Sequence, residues 1–98
     1  MDVHYTLHGV SFVWNGAKAQ SNARKHGVAF ESAAEAFFDP FLRLVDAGEH
    51  DEERIALLGM TEASRLLFVV YAEREDDVFR IVSARPATSA ERRDYEDL

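Results

Sequence analysis

The apolar positions change period several times along the chain, and each change marks an element. Val3, Tyr5 and Leu7 alternate, as in a strand, but the first ten residues hold no clean period, so 1–9 are expected to be irregular or mobile if they do not pair. Val10 to Trp14 alternates and predicts a strand. Asn15 then offers an N-cap for a helix that ends at Lys25-His26-Gly27, where cations in the last turn followed by glycine form a stop signal. Phe30, Ala33, Ala34, Phe37 and Phe38 fall at i, i+3, i+4, i+7 and i+8, one apolar face of a second helix that Asp39-Pro40 closes.

Strand patterns follow over Phe41–Asp46 and Arg54–Met60, separated by the polar loop Ala47–Glu53. Leu66 to Glu73 is apolar on both parities and is expected to be central in the sheet, covered on two faces. Glu75-Asp76-Asp77 supplies a hairpin turn into Val78–Ala84. Thr88 with Glu91 three residues on is a capping box for a short last helix, whose only large apolar side chains are Tyr95 and Leu98; so polar a helix must dock on something. Helices gathered early and strands joined by short turns predict an α+β fold with a mainly antiparallel sheet of four to five strands.

Composition adds limits. The 98 residues are 47% hydrophobic with seven Phe, three Tyr and one Trp, enough for one core, so 1–98 is expected to be a single domain. The absence of cysteine excludes a disulfide framework and thiolate zinc sites. Met1-Asp2 opens no basic leader and the longest apolar run, Leu66–Ala72, is too short for a bilayer span, which predicts a cytoplasmic protein without a membrane partner. A net charge of −7 argues against a general nucleic-acid binder, but the charge is uneven: residues 1–30 sum to +2, 31–64 to −7 and 65–98 to −2.

No phosphate-cradling glycine motif, nucleophile elbow or metalloprotease signature is present. His4 and His8 are spaced i, i+4 but have no third ligand nearby, and read as surface residues; no metal is expected. His26 admits two readings, a cation that suits a helix C-terminus or a general acid or base, since an imidazole titrates near neutrality. Arg80 interrupts an apolar strand and must point at something, either a carboxylate or a phosphate that fits its planar fork. Strict alternation puts Arg80 and Arg85 on opposite faces unless a bulge or the strand end re-aims Arg85. Arg54 enters a strand behind the acidic run His50-Asp51-Glu52-Glu53, and Glu53 is either part of a solvated loop or a base beside Arg54.

These residues also carry a resemblance. Phe12-Val13-Trp14 with Lys18 and Asn22, Lys25-His26-Gly27-Val28, Phe30-Glu31 with Ala33-Ala34, and Phe37-Phe38-Asp39-Pro40 stand in that order. They are followed by Glu52-Glu53-Arg54, Leu58-Gly59, Leu67 to Tyr71, Arg80-Ile81-Val82-Ser83-Ala84-Arg85 and Glu91-Arg92-Arg93-Asp94-Tyr95. Each piece is weak alone. Together, from about Phe12 to Tyr95, the chain resembles the BrnT-type toxins of type II toxin–antitoxin systems, small ribonucleases with a RelE-like fold.

The resemblance implies metal-independent RNA cleavage without a cofactor and inhibition of translation. It also implies a ribbon-helix-helix (BrnA-like) antitoxin as partner, with operator DNA bound only through that antitoxin. Carried onto this chain, it makes His26 the candidate for proton transfer, alone or shared with Glu53. Arg54, Arg80 and Arg85 become candidates for charge stabilisation, and Lys18 and Lys25 for RNA contact. Two positions depart from the family pattern: Asn15-Gly16 stands where an acidic residue usually follows the tryptophan, and Pro86 where many members carry a basic one. The alternative is a weak or inactive homologue that binds the antitoxin and acts in autoregulation.

Overall fold

The computed structural model describes residues 1–48 and 53–97. Among the described residues, six strands form one sheet in the order β1-β2-β6-β5-β4-β3. They are β1 (Asp2–Leu7), β2 (Val10–Asn15), β3 (Arg43–Val45), β4 (Arg54–Met60), β5 (Leu66–Arg74) and β6 (Val78–Pro86). The helices are α1 (Gly16–His26), α2 (Phe30–Ala36) and α3 (Ser89–Glu96). All neighbouring strands are antiparallel except β2 and β6, which run parallel over Ser11–Val13 and Val78–Arg80. The architecture is the α+β arrangement expected, with one strand more than the upper count. No helix among the described residues is long and apolar enough to cross a membrane.

The extra strand is the first. Residues 2–7 are not irregular but pair along their whole length with β2, from Asp2 opposite Asn15 to Leu7 opposite Val10. The alternation of Val3, Tyr5 and Leu7 was the relevant signal, and Tyr5 packs at 5.5 Å from the Trp14 ring.

Local signals set the ends of the helices. The Asn15 side chain accepts from the Lys18 amide at 3.0 Å, satisfying one of the open donors of α1, and Gly27 closes the helix at φ 67. Asn22, on the buried side of α1, donates to the carbonyls of Val28 and Ala84 and accepts from the Ala84 amide. It thereby ties α1 to β6. Asn22→Ala leaves those backbone groups buried without partners, and an expected loss of about 2–3 kcal/mol should appear as a lower urea midpoint with unchanged slope.

The main core lies between α1 and α2 and one face of the sheet. Phe12, Trp14, Phe30, Leu57, Leu67 and Val69 are its most enclosed large side chains. Each is worth about 1.5–3 kcal/mol in surface removed from water. Phe37, Phe79, Tyr71 and Phe12 interlock on it with ring centroids 4.8 to 6.0 Å apart. The helical extrapolation fails at Phe38. Because α2 stops at Ala36, Phe38 lies in the turn beyond it and is 37% exposed. β3 is also shorter than Phe41–Asp46, because Asp39 takes the Phe41 and Leu42 amides into its own turn. The core of the loop expected over 47–53, including His50 and Glu52, and the Leu98 contact expected of α3 lie outside the described residues.

Candidate active site

β6 contains one residue too many for β5. Val70 pairs with Ser83 but Tyr71 pairs with Ile81, so Val82 is bulged. The bulge resets the alternation. Ile81 and Ala84 both face the helices, while Arg80, Ser83 and Arg85 all face the other way. Of the two possibilities left open by the sequence, the bulge is the one realised.

Register extends this face across the sheet. His4 stands opposite Val13, Val13 opposite Arg80, Arg80 opposite Ala72, and Ala72 opposite Arg54. Directly opposed residues share a face, so His4, Arg80 and Arg54 form one row away from the helices, with Arg54 and Arg80 two strand spacings apart, about 10 Å between backbones. Arg74 lies two residues beyond Ala72 on the same face, and its guanidinium is 3.9 Å from the Glu53 carboxylate at the start of β4. The structure thus brings Glu53, Arg54 and Arg80 to one end of one face and adds Arg74 and His4.

The arginines differ in what holds them. Arg80 is gripped bidentately by Asp2, at 2.7 and 3.4 Å, and that guanidinium holds the Asp2 carboxyl below the usual aspartate range. Arg85, about 15 Å further along β6, is bidentate to Glu91 at 2.8 and 2.9 Å and lies 4.2 Å over the Phe68 ring. Glu91 also accepts from the Thr88 amide in the capping box of α3. Arg85 therefore fastens α3 to the sheet, and the hydrogen bonds it donates to Glu91 keep it firmly protonated.

His26, Lys18 and Lys25 belong to α1, in the helical layer on the other side of the sheet from the arginine row. Lys18 and Lys25 are exposed and His26 is half-buried. Beside His26, Arg65 from the β4–β5 turn donates to the Gly27 carbonyl at 3.2 Å. Sequence reasoning passed over Asp2, Arg65 and Arg74, and read His4 only as a surface residue. Asp2 and His4 were legible from the parity of β1, since residues alternating with Val3 and Tyr5 must point outward; Arg65 and Arg74 had no comparable signal. His4 and His8 lie on a strand and its turn, so their spacing does not bring them to one helical face, and the His8 ring meets Phe38 edge-on at 5.0 Å.

Below the sheet end, Asp39 is a buried carboxylate with three donors: the amides of Phe41 and Met60 and the Tyr95 hydroxyl from α3. Burial opposes its ionisation, but the three hydrogen bonds outweigh it and hold the carboxyl below the usual aspartate range. Burial and the Asp39 contact push the Tyr95 hydroxyl up to about 12. Arg43 adds hydrogen bonds to the Asp94 and Asp97 carbonyls, so α3 docks by polar contacts in place of an apolar stripe. A depressed carboxyl contributes stability that is complete above its unfolded value, near 3.8, and lost as pH falls through the folded value. Asp39→Asn should therefore flatten the acid side of the stability–pH profile below about pH 4, read by urea unfolding.

No curated protein sequence matches the chain. Among solved structures it is similar to the 1.1 Å crystal structure of the Brucella abortus ribonuclease toxin BrnT, with a TM-score of 0.61 and 18% identity over 78% of this chain and 94% of that one. That likeness is one of fold. The family model described as the ribonuclease toxin BrnT of type II toxin–antitoxin systems matches residues 14–91, a span that includes Arg54, Arg80 and Arg85 and leaves β1 outside. The chain belongs to the BrnT family of ribonuclease toxins of type II toxin–antitoxin systems.

Proposed function

We propose that the chain is an endoribonuclease that cleaves RNA through attack of a ribose 2′-oxygen on the adjacent phosphorus, with no metal or cofactor. It inhibits translation until a ribbon-helix-helix antitoxin occludes it, and it reaches operator DNA only through that antitoxin. The observation that carries this reading is the in-register row of His4, Arg80 and Arg54 on the sheet face away from the helices.

In this reading Arg80 and Arg54, with Arg74, take the phosphate oxygens and stabilise the dianionic phosphorane, because guanidinium stays charged and matches phosphate bidentately. For the same reason none of them is a useful base. Glu53, adjacent to Arg54 and within 3.9 Å of Arg74, takes the 2′-hydroxyl proton. His4, two strand spacings beyond Arg80 and four from Arg54, serves RNA contact, and the leaving 5′-oxygen takes its proton from solvent. His26, Lys18 and Lys25 lie in the helical layer on the other face of the sheet, with His26 toward the β4–β5 turn, and serve RNA contact more readily than proton transfer at the arginine row. Arg85 acts by holding α3.

The purified protein should cut an RNA oligonucleotide in EDTA, leaving a 2′,3′-cyclic phosphate, and should not cut the same oligonucleotide with 2′-deoxyribose at the scissile position. Apparent RNA affinity should fall with salt at a log–log slope of about −0.7 per phosphate held. Cleavage of the deoxy substrate, or affinity flat in salt, would contradict the assignment. One observation favours a second reading, the antitoxin-binding and autoregulatory module without turnover: Asp2 occupies the fork of Arg80. If the wild type neither cleaves RNA nor arrests growth on expression, that second reading stands.

A further inference from the structure

Past the end of α2 the surface changes character. Three of the exposed large hydrophobic residues, Phe38, Phe41 and Leu44, lie within seven residues of one another, with Phe41 67% exposed. Phe38, Pro40 and Phe41 form one wall of an open groove of about 400 Å³ that also reaches the His8 ring. Glu35 and Glu62 line it as well, joined where the Glu62 amide donates to the Glu35 carboxylate at 3.1 Å. Among the described residues no Lys or Arg lines this groove, and Asp39 at its base spends its carboxylate on three internal donors.

Aromatic rings beside two carboxylates suit one kind of guest. A guanidinium or ammonium on an apolar stem can lay its methylenes on the rings and its charge against the acids. RNA is excluded by repulsion, and none of Arg54, Arg74 and Arg80 lines the groove. A second copy of a chain carrying a net charge of −7 is disfavoured in the same way. A partner that holds operator DNA must itself carry excess positive charge. We infer that this groove is the docking site for a segment of the cognate antitoxin that presents an arginine or lysine flanked by apolar residues. The inference rests on the toxin–antitoxin reading above.

The test measures binding of the purified chain to the antitoxin encoded in the neighbouring reading frame, by calorimetry. Phe41→Ala combined with Glu62→Lys changes two exposed side chains and should weaken binding by about 30-fold or more, as loss of an aromatic anchor does. RNA cleavage by the free variant should equal that of the wild type, and Val3→Ala, four residues along β1 from Leu7 and outside the groove lining, should leave binding unchanged. Binding by the double variant equal to wild type overturns the groove alone and leaves the family role intact. A wild type that binds no antitoxin overturns both. Self-association of the wild type that Phe41→Ala abolishes overturns it in favour of a second copy.

Discussion

Arg80→Ala should lower kcat/KM for RNA cleavage by about 10²–10³-fold, the cost of removing one preorganised donor from a developing oxyanion. The side chain is half-exposed, and its direct partner is the surface carboxylate of Asp2, so the substitution leaves no buried charge unpaired. Circular dichroism and the thermal midpoint should therefore stay near wild type, separating chemistry from folding. Arg80→Lys should recover only part of the loss, because a point charge replaces a planar fork. The Asp2 contact supplies the complementary arm. A phosphate reaching Arg80 must first displace that carboxylate, so Asp2→Asn should lower KM and raise kcat/KM with kcat little changed. An Arg80→Ala enzyme as active as wild type would remove the arginine row from the mechanism.

The sequence made much of this site readable because its strongest signals are local. Asn15 and Gly27 bound α1, the Thr88–Glu91 box starts α3, and Arg54–Met60 is a strand of the expected span, each decided by a few neighbouring residues. What stayed hidden depends on pairing between distant segments. The bulge at Val82 follows from the register of β6 on β5, and no property of Val82 itself announces it. The parallel contact of β2 with β6 joins residues more than sixty positions apart, and through it His4 comes into the row of Arg80. Composition is silent on where the charge sits: part of the acidity is paired with arginines, Asp2 with Arg80 and Glu91 with Arg85. The role given to Arg85 shows the converse. A residue inside a suggestive run is occupied with fastening a helix, which only the Glu91 and Phe68 contacts reveal.

Gly59→Ala should be the most damaging of the glycine-to-alanine substitutions. A Cβ at Gly59 would run into the Ala36 carbonyl oxygen and stand 2.9 Å from the Ala36 Cβ. Both are well inside contact, and the obstacle includes backbone, so no rotamer change relieves it. α2 would have to lift from β4, and α2 is the helix whose Ala33, Ala34 and Ala36 are fully enclosed and whose Phe30 packs edge-on to Trp14 at 5.7 Å. Small side chains let that helix approach the sheet closely, and the missing side chain at 59 completes the fit. Overpacking a tight core costs about 1–3 kcal/mol and more where backbone must move, so about 3 kcal/mol is expected, which in a chain of this size lowers the thermal midpoint by roughly 15 °C. Gly16→Ala is the matched control. Its Cβ would meet the Met1 carbonyl and Val3 at 3.4 and 3.5 Å, ordinary contacts, at the first position of α1. Alanine there should be neutral or stabilising by up to about 1 kcal/mol. Differential scanning calorimetry of the two variants decides the matter: if Gly59→Ala melts within 2 °C (~0.4 kcal/mol) of wild type, the close approach of α2 to β4 is not what holds this layer together.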